Sequence, residues 1–255
     1  MFRATGVFSE MSQAFLLVKS LLFITIMYSW MLVLGIIAAP AAAVSRDATY
    51  WFVKLYCRQI LWLLRFLCGI DFEVRGGIPT GDVAVVSKHQ SFLDVILHVV
   101  SLDRPQFIMK RELSWIPVFG FYAMRIGCTP IHRENRARAT DQMSKGVEKE
   151  AGADAQLVIY PQGTRVSPGD KKPYKAGAFI LYHRHEKPCV LAATNVGHFW
   201  PRLSLLRRPG LAVVEYLSVV PPGLFRDEFM VRIEREIEQA SDRLSEETLS
   251  HSAKQ

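Results

Sequence analysis

The sequence predicts an α/β protein in which a mixed, largely parallel sheet is flanked by helices and preceded by an N-terminal membrane-associated helical hairpin. From residue 76 onward, short apolar runs rich in β-branched residues alternate with segments of helical character, as in α/β layer structures. Before them come a long uncharged segment and an aromatic-rich amphipathic one. Half of the 255 residues are hydrophobic, a share that is high for a soluble protein and indicates membrane contact.

The first element is an apolar segment over residues 20–44, which carries no charge and is bounded by Lys19 and Arg46. Roughly 20 apolar residues cross a bilayer core, so the segment is long enough to span. A signal peptide is the alternative, because the run APAAA at 39–43 resembles a small-residue cleavage site. The apolar part at 21–37 is longer than the usual core of a signal peptide, which favours a retained membrane helix.

The second element, residues 50–70, is predicted to be an amphipathic helix. Lys54, Arg58 and Arg65 fall within about 40° of one another on a helical wheel, while tryptophan, phenylalanine and leucine cover much of the rest. A cationic strip on an aromatic-rich helix suits a bilayer interface. A core helix with a solvated stripe is the alternative, because amphipathicity alone does not distinguish the two.

The hairpin is predicted to occupy residues 1–75 and the α/β domain residues 76–255, because glycines and a proline at 76–81 form a turn-rich boundary. Within the domain the pattern predicts strands at 83–86, 105–110, 128–131, 156–160, 188–195 and 211–219. Helices are predicted at 95–102, 111–127 with a break at Pro117 and Gly120, 134–150, 176–185 and 225–244.

The charge balance favours anionic partners. Lysine and arginine outnumber aspartate and glutamate by 31 to 24, which suits lipid headgroups, phosphorylated substrates or an acidic carrier protein. Nucleic acid is not expected, because no finger, basic helix or RNP-like aromatic pattern accompanies the charge. The four cysteines lie in apolar surroundings without metal-binding spacing, so we expect buried thiols in a reducing compartment and no metal site.

The stretch DVAVVSKHQSFLD at 82–94 is the first candidate for chemistry. It has the pattern of a strand, a tight turn and the start of a helix, and ligands of open α/β sheets bind where strands end and helices begin. In an extended chain His89 and Asp94 would lie roughly 16 Å apart. A turn can bring them together, so that the Asp94 carboxylate orients the His89 ring and leaves Nε2 free to take a proton.

Two structural roles for Asp94 compete with this interpretation. Ser91 followed three residues later by an acid is a capping box, in which Asp94 would only satisfy helix N-terminal amides. Asp94 could also pair with His98 one turn further on.

The second candidate is PQGTR at 161–165, directly after a predicted buried strand. Gly163 permits a close backbone approach, and the Thr164 hydroxyl and local amides can face an anion. Arg165 supplies a bidentate fork suited to phosphate. An ordinary glycine turn with a surface arginine is the alternative.

Together, the HxxxxD motif at 89–94 and the GTR turn some seventy residues later resemble the glycerolipid acyltransferase family, specifically lysophosphatidic acid acyltransferases of the PlsC type. The resemblance covers roughly residues 75–220. Other segments similar to that family's motifs are Lys110, Glu112 and Leu113, then Pro117 and Gly120, the run 127–133, Lys175 with Gly177 and Ala178, and the run 188–195. Two positions depart from it: Lys88 stands where the family usually has asparagine, and Gln162 where it usually has glutamate.

The family transfers an acyl group from a thioester, on coenzyme A or acyl carrier protein, to the free hydroxyl of a lysolipid. The resemblance implies that His89 removes the hydroxyl proton and that Asp94 orients its ring, with no acyl-enzyme intermediate and no cofactor beyond the acyl donor. It implies that Arg165, with Gly163 and Thr164, holds the phosphate of lysophosphatidic acid. Two further cations are secondary candidates for that phosphate, Lys110 and Arg133.

Three other functions stay open from the residues. The acceptor could be another lysolipid, such as a lyso-ornithine lipid. The protein could be an esterase or thioesterase using Ser91 or a cysteine, although Ser91 lacks a GxSxG elbow and is better explained as a helix cap. It could also be a non-catalytic peripheral lipid-binding protein. Because acyl donors are cytoplasmic, we expect the domain to face the cytoplasm from the cytoplasmic membrane; the charges that flank the apolar segment do not decide the orientation.

Overall fold

The computed structural model describes residues 4–132, 141–143, 145 and 154–252. Its centre is a seven-stranded sheet in the order β1-β7-β6-β2-β5-β3-β4. The strands are β1 Ile70–Arg75, β2 Val83–Ser87, β3 Pro105–Lys110, β4 Thr129–Ile131, β5 Gln156–Ile159, β6 Cys189–Thr194 and β7 Gly210–Val220. Neighbouring strands are parallel except β6 and β7. The predicted mixed, largely parallel sheet is confirmed.

Six helices surround or precede this sheet in the described residues. They are α1 Ala4–Val44, α2 Arg46–Cys68, α3 Leu93–Ser101, α4 Phe119–Arg125, α5 Gly177–His185 and α6 Arg226–Ser252. Two 3-10 turns, Arg111–Trp115 and Val196–His198, complete the order. The break predicted in the helical segment 111–127 is confirmed, because the first 3-10 turn and α4 flank Pro117. Most of the helix predicted at 134–150 lies outside the described residues; 141–143 and 145 are helical.

Strand β1 is the element that the sequence analysis missed. It pairs in parallel with β7 along its whole length, so residues 70–75, which were placed in the hairpin segment, lie in the sheet. Only Ile70 of this strand is buried. Its sequence IDFEVR alternates apolar and polar residues, which is a strand pattern, but only the pairing with β7 shows that these residues join the sheet rather than end the hairpin.

The alternation of side chains along each strand divides the core between the two faces of the sheet. Val85 belongs to the cluster formed with α1, α2 and α3, and its neighbour Val86 belongs to the cluster under α5 and α6. Val158 and Ile159 of β5 divide in the same way. Each fully buried aliphatic side chain contributes about 1.5 to 3 kcal/mol to folding. The sheet is therefore covered on both faces, as a parallel sheet requires.

Helices α1 and α2 form the predicted hairpin. Ser45 caps α2 by accepting a hydrogen bond from the Ala48 amide at 3.2 Å, and Tyr56 of α2 donates to the Met27 carbonyl of α1 at 3.0 Å. One stretch of α1, Gln13–Val44, is long and apolar enough to cross a membrane by length and composition. Helix α2 buries one face and exposes aromatic side chains on the other, among them Trp51, Trp62 and Phe66. It thus has features of both predicted alternatives.

Candidate active site

The turn between β2 and α3 brings His89 and Asp94 together. His89 Nδ1 lies 2.9 Å from Asp94 Oδ1, while Asp94 Oδ2 accepts hydrogen bonds from the amides of Gln90 at 2.8 Å and Ser91 at 2.9 Å. One carboxylate therefore orients the histidine with one oxygen and satisfies helix N-terminal amides with the other. The two predicted roles of Asp94 coexist.

The proposed pairing of Asp94 with His98 is wrong. His98 Nδ1 lies 3.0 Å from the Tyr216 hydroxyl and Nε2 lies 2.9 Å from Ser87 Oγ, deep in the core. Burial lowers the pKa of His98 to about 4, so this ring is neutral at physiological pH. The histidine packs β2, α3 and β7 together beneath the turn that carries His89.

Asp94 is fully buried and ionised. Burial by itself would raise the pKa of the carboxyl, but the charge and hydrogen bond of His89 and the amides of Ser91 and Gln90 outweigh it, and the pKa lies below its ordinary value. A carboxylate at this distance accepts a hydrogen bond from Nδ1, and in a neutral imidazole that tautomer leaves the lone pair on Nε2. The His89 side chain is 15% exposed, which leaves the ring accessible to a substrate.

Ser91 is itself buried, and its Oγ accepts a hydrogen bond from the Leu93 amide at 3.2 Å. That contact gives it a structural role in the turn before α3, but the N-cap position of α3 falls on Phe92, so Ser91 lies one residue before the predicted cap.

Tyr160 is a site residue that sequence reasoning did not single out. Its ring stacks on His89 with centroids 3.9 Å apart and planes 16° from parallel. Burial, followed by the negative charge of the nearby Asp94, raises the pKa of the Tyr160 hydroxyl well above its ordinary value. The signal available in the sequence was its place between the end of a buried strand and PQGTR. Stacking and the Asp94 hydrogen bond together fix the plane of the His89 ring.

The PQGTR loop begins immediately after Tyr160. The Gly163 amide donates to the Tyr160 carbonyl at 2.9 Å, and Gly163 has φ +67°. A side chain at this position would meet Lys175, because a Cβ would lie 2.8 Å from Lys175 Nζ. The backbone conformation therefore favours glycine, and a side chain here would also require the flexible Lys175 ammonium to move aside.

A backbone hydrogen bond joins this loop to the turn that carries His89. The Val166 amide donates to the His89 carbonyl at 2.8 Å. Since β2 and β5 are parallel neighbours, the turns that follow them meet at the same edge of the sheet. The two sequence candidates thus form one site.

Arg165 opens onto a cationic groove with a volume of about 510 Å³. Burial and the neighbouring Arg202 lower the pKa of Arg165, although a guanidinium keeps its charge at neutral pH. Arg202 Nη1 also donates to the Arg165 carbonyl at 3.3 Å. The groove is lined by Arg165, Val166, Ser167, Asp170, Lys171, Lys172, Pro201, Arg202, Leu203 and Ser204. Its excess of positive charge fits an anion such as a phosphate monoester.

The remaining predicted site residues, Thr164, Lys110 and Arg133, differ in their position relative to the groove or in whether the structure describes them. Thr164 is partly exposed beside Arg165. Lys110 ends β3 at the same edge of the sheet, is exposed, and pairs with Glu112 at 3.2 Å; it is not among the residues that line the groove. Arg133 lies outside the described residues.

The two departures from the family pattern, Lys88 and Gln162, meet at one carboxylate. Lys88 Nζ lies 2.6 and 2.7 Å from the carboxylate oxygens of Glu238 on α6, and Gln162 Nε2 lies 3.4 Å from the same group. The Tyr174 hydroxyl donates to Glu238 at 2.8 Å. Where the resemblance expects an acid at position 162, this chain therefore has an amide with the Glu238 carboxylate beside it.

Cysteine and metal predictions concern other parts of the chain. All four cysteines are free and buried, as predicted. Among the described residues there is no cluster of three or more histidine, cysteine, aspartate or glutamate side chains placed to hold a metal ion.

Comparison with known proteins identifies the relatives of this chain. The model of a family described as acyltransferase matches residues 71–197. The 1-acyl-sn-glycerol-3-phosphate acyltransferase of Pseudomonas aeruginosa is 29% identical over 206 residues, which are 80% of this chain and 79% of that protein. The human alpha form of the enzyme is 32% identical over 205 residues, 78% of this chain and 72% of that protein.

A solved structure shares the fold. The 1-acyl-sn-glycerophosphate acyltransferase PlsC from Thermotoga maritima superposes with a TM-score of 0.74, covering 89% of this chain and 95% of that one, at 19% identity. The fold is that of the acyltransferase PlsC, and the family model and the relatives define the class of protein as an acyltransferase. More narrowly, the chain belongs to the family of glycerolipid acyltransferases that includes the 1-acyl-sn-glycerol-3-phosphate acyltransferases.

Proposed function

We propose that this protein is a 1-acylglycerol-3-phosphate O-acyltransferase. It moves a fatty acyl group from an acyl thioester to the sn-2 hydroxyl of lysophosphatidic acid and makes phosphatidic acid. The observation that carries the proposal is the hydrogen bond from the Val166 amide to the His89 carbonyl, because it joins the base to the loop that presents Arg165. The relatives from Pseudomonas aeruginosa and human are named for the same reaction.

The proton steps use His89 and Asp94. The acceptor hydroxyl attacks the thioester carbonyl while His89 Nε2 takes its proton, so that an ester bond to oxygen forms. The bond from carbon to sulfur then breaks, and the leaving thiolate takes up the proton. Asp94, 2.9 Å from Nδ1, stabilises the imidazolium between these steps. No covalent acyl-enzyme intermediate is needed.

Arg165 holds the acceptor through its phosphate, with Gly163 and Thr164 shaping the turn and Lys110 and Arg133 as secondary candidates. Fixing the phosphate converts the encounter of a mobile lipid hydroxyl with His89 into an oriented one. The cationic groove supports a phosphate-bearing acceptor over a phosphate-free one such as a lyso-ornithine lipid.

The acyl donor is acyl-CoA or acyl carrier protein, and we propose no cofactor besides it. Both donors are anionic, which the net charge of +7 supports. We further propose that the α1–α2 hairpin seats the protein on the cytoplasmic membrane with the catalytic domain facing the cytoplasm. The apolar stretch Gln13–Val44 and the exposed aromatic side chains of α2 support that placement.

The test is an acyl-transfer assay with purified full-length protein, lysophosphatidic acid and a radiolabelled acyl thioester. His89→Ala should lower kcat by at least about a thousandfold, because it removes the base. Arg165→Ala should raise KM for lysophosphatidic acid about tenfold or more, since a charge-assisted bidentate contact is lost. His183→Ala and Arg184→Ala, both exposed on α5, are the matched controls and should match wild type.

Two outcomes would overturn parts of the proposal. Transfer to another lysolipid but not to lysophosphatidic acid would show that the acceptor is wrong while the base stands. Full activity of His89→Ala would show that the proposed chemistry is wrong.

A further inference from the structure

The loop between the 3-10 turn at Val196–His198 and β7 exposes two leucines at its tip. Leu203 is 91% and Leu205 57% exposed, and the exposed cations Arg202 and Arg208 flank them. Exposed leucines flanked by exposed arginines on a short loop place apolar area beside positive charge. This combination is typical of segments that lie in a membrane interface.

The leucines are held outward by a rigid frame. The buried guanidinium of Arg207 lies 4.2 Å over the Trp200 ring, and its Nη1 donates to the carbonyls of Ser204 at 2.9 Å and Leu206 at 3.2 Å. The frame keeps the loop from folding its apolar side chains inward. Their exposure is therefore built into the fold.

The same frame attaches the loop to α1. The Arg207 amide donates to Ser20 Oγ at 2.8 Å, and Trp200 packs edge-on against Phe23 with centroids 5.5 Å apart. On the side of α1 that carries Ser20, Leu17 is 36% exposed. The loop leucines are thus attached to the helix that is long enough to cross a bilayer.

The inner side of the loop lines the cationic groove described above. Arg202, Leu203 and Ser204 line the groove together with Arg165, and Arg202 donates to the Arg165 carbonyl. A surface that contacted lipid here would place the mouth of the groove at the level of the headgroups.

We propose that residues 201–206, the membrane-contact loop, insert Leu203 and Leu205 into the interface of a bilayer that contains anionic phospholipid. Arg202 and Arg208 remain at the level of the lipid phosphates, where their charge is complementary. A lysolipid then reaches Arg165 by lateral movement along the loop without leaving the membrane. The role of the groove in this inference rests on the function proposed above; the contact of the loop with lipid does not.

The first experiment measures the environment of the loop without using activity. Leu203→Cys is labelled with an environment-sensitive nitrobenzoxadiazole dye in full-length protein, and the four native cysteines are buried. The matched control is Val231→Cys on α6, which is 63% exposed and lies on the face of the sheet opposite the hairpin. Both are reconstituted in vesicles of phosphatidylglycerol and phosphatidylethanolamine in equal amounts, with and without lipid carrying a spin label near the headgroup.

We expect the dye at position 203 to emit at shorter wavelength in vesicles and to be quenched by the spin-labelled lipid, with the dye at position 231 unaffected. Equal quenching at the two positions would overturn the inference. A change at position 203 that required added acyl carrier protein, or that depended on protein concentration in detergent, would also overturn it in favour of a protein partner or a second copy.

The second experiment compares two forms of the acceptor. Leu205→Glu, which lies outside the groove lining, should lower the rate on lysophosphatidic acid embedded in vesicles about tenfold, because a charge replaces an inserted apolar side chain. The rate on a short-chain, monomeric lysophosphatidic acid should match wild type, as should both rates of Val231→Glu. Equal rates of wild type and Leu205→Glu on vesicles would overturn the inference. Inactivity of wild type on both acceptors would instead overturn the proposed function, while the fluorescence result would still decide the loop.

Discussion

Lys88 and Glu238 form an ion pair across 150 residues of sequence, with Lys88 Nζ 2.6 Å from Glu238 Oε2. The Lys88 side chain is almost completely buried and that of Glu238 is mostly buried. The pair connects α6 to the turn that carries His89, because Lys88 immediately precedes His89. Gln162 also contacts Glu238, so one carboxylate contacts both this turn and the PQGTR loop.

Breaking this pair should destabilise the protein. Glu238→Gln should lower the free energy of unfolding by about 2 to 4 kcal/mol, because it leaves the buried Lys88 ammonium without its counter-charge. Lys88→Met should cost less, since the carboxylate of Glu238 keeps some contact with water. The double variant Lys88→Met with Glu238→Gln should be more stable than Glu238→Gln alone, as measured by denaturant unfolding in detergent. Additive losses would show that the two side chains do not interact.

Asp94→Asn should test whether Asp94 orients the His89 ring for acyl transfer. The amide can no longer hold the Nδ1 proton of His89 and stabilise an imidazolium, so kcat should fall about a thousandfold or more with little change in KM. The measurement is steady-state acyl transfer across a range of lysophosphatidic acid concentrations. Asp170→Asn, an exposed acid in the groove lining, is the control for loss of a charge nearby and should keep kcat. A change confined to KM in Asp94→Asn would contradict the orienting role.

The lowered pKa of Asp94 also predicts a pH dependence of stability. A carboxyl whose pKa is lower in the folded than in the unfolded state stabilises the fold above its ordinary pKa of 3.8. That contribution is lost as the pH falls from there through the folded-state pKa. Unfolding free energies measured from neutral to acid pH should decline less steeply at the acid end in Asp94→Asn than in wild type. Parallel curves for the two proteins would contradict a lowered pKa.

The stacking of Tyr160 on His89 should contribute to activity through the ring rather than the hydroxyl. Tyr160→Leu removes a stacked pair that is typically worth about 0.5 to 1.5 kcal/mol, and kcat should fall about three- to tenfold. Tyr160→Phe keeps the ring and should stay within about twofold of wild type. If both variants lost activity equally, the hydroxyl beside Asp94 would be the important group.

Gly163→Ala should cost more than a comparable change elsewhere in the same loop. Both Gly163 and Gly169 have positive φ, +67° and +82°, but only Gly163 is crowded, with Lys175 in the position of a new side chain. A positive φ alone costs an alanine about 1 kcal/mol. Gly163→Ala should therefore lose more unfolding free energy than Gly169→Ala and raise KM for lysophosphatidic acid, whereas equal losses and an unchanged KM would show that Lys175 moves freely.

Local sequence made the turn that carries His89 and the PQGTR loop predictable. His89 and Asp94 are five residues apart, and a turn at a helix start leaves few ways to place them, so the sequence could predict that they meet. The sequence did not reveal that Asp94 would form hydrogen bonds with His89 and with two amides at once. The spacing was compatible with either role alone, and the structure shows both together.

Residue types within short windows were enough to predict the order of most strands and helices, the apolar N-terminal helix and the two motifs. Only the folded chain shows that β1 joins the sheet beside β7, that Tyr160 stacks on His89, and that Glu238 and Arg202 reach the site. The latter two contacts span 150 and 37 residues. These contacts form because the packing of the sheet and its helices brings distant segments to one edge. Contacts of this kind leave no periodic signal in the sequence.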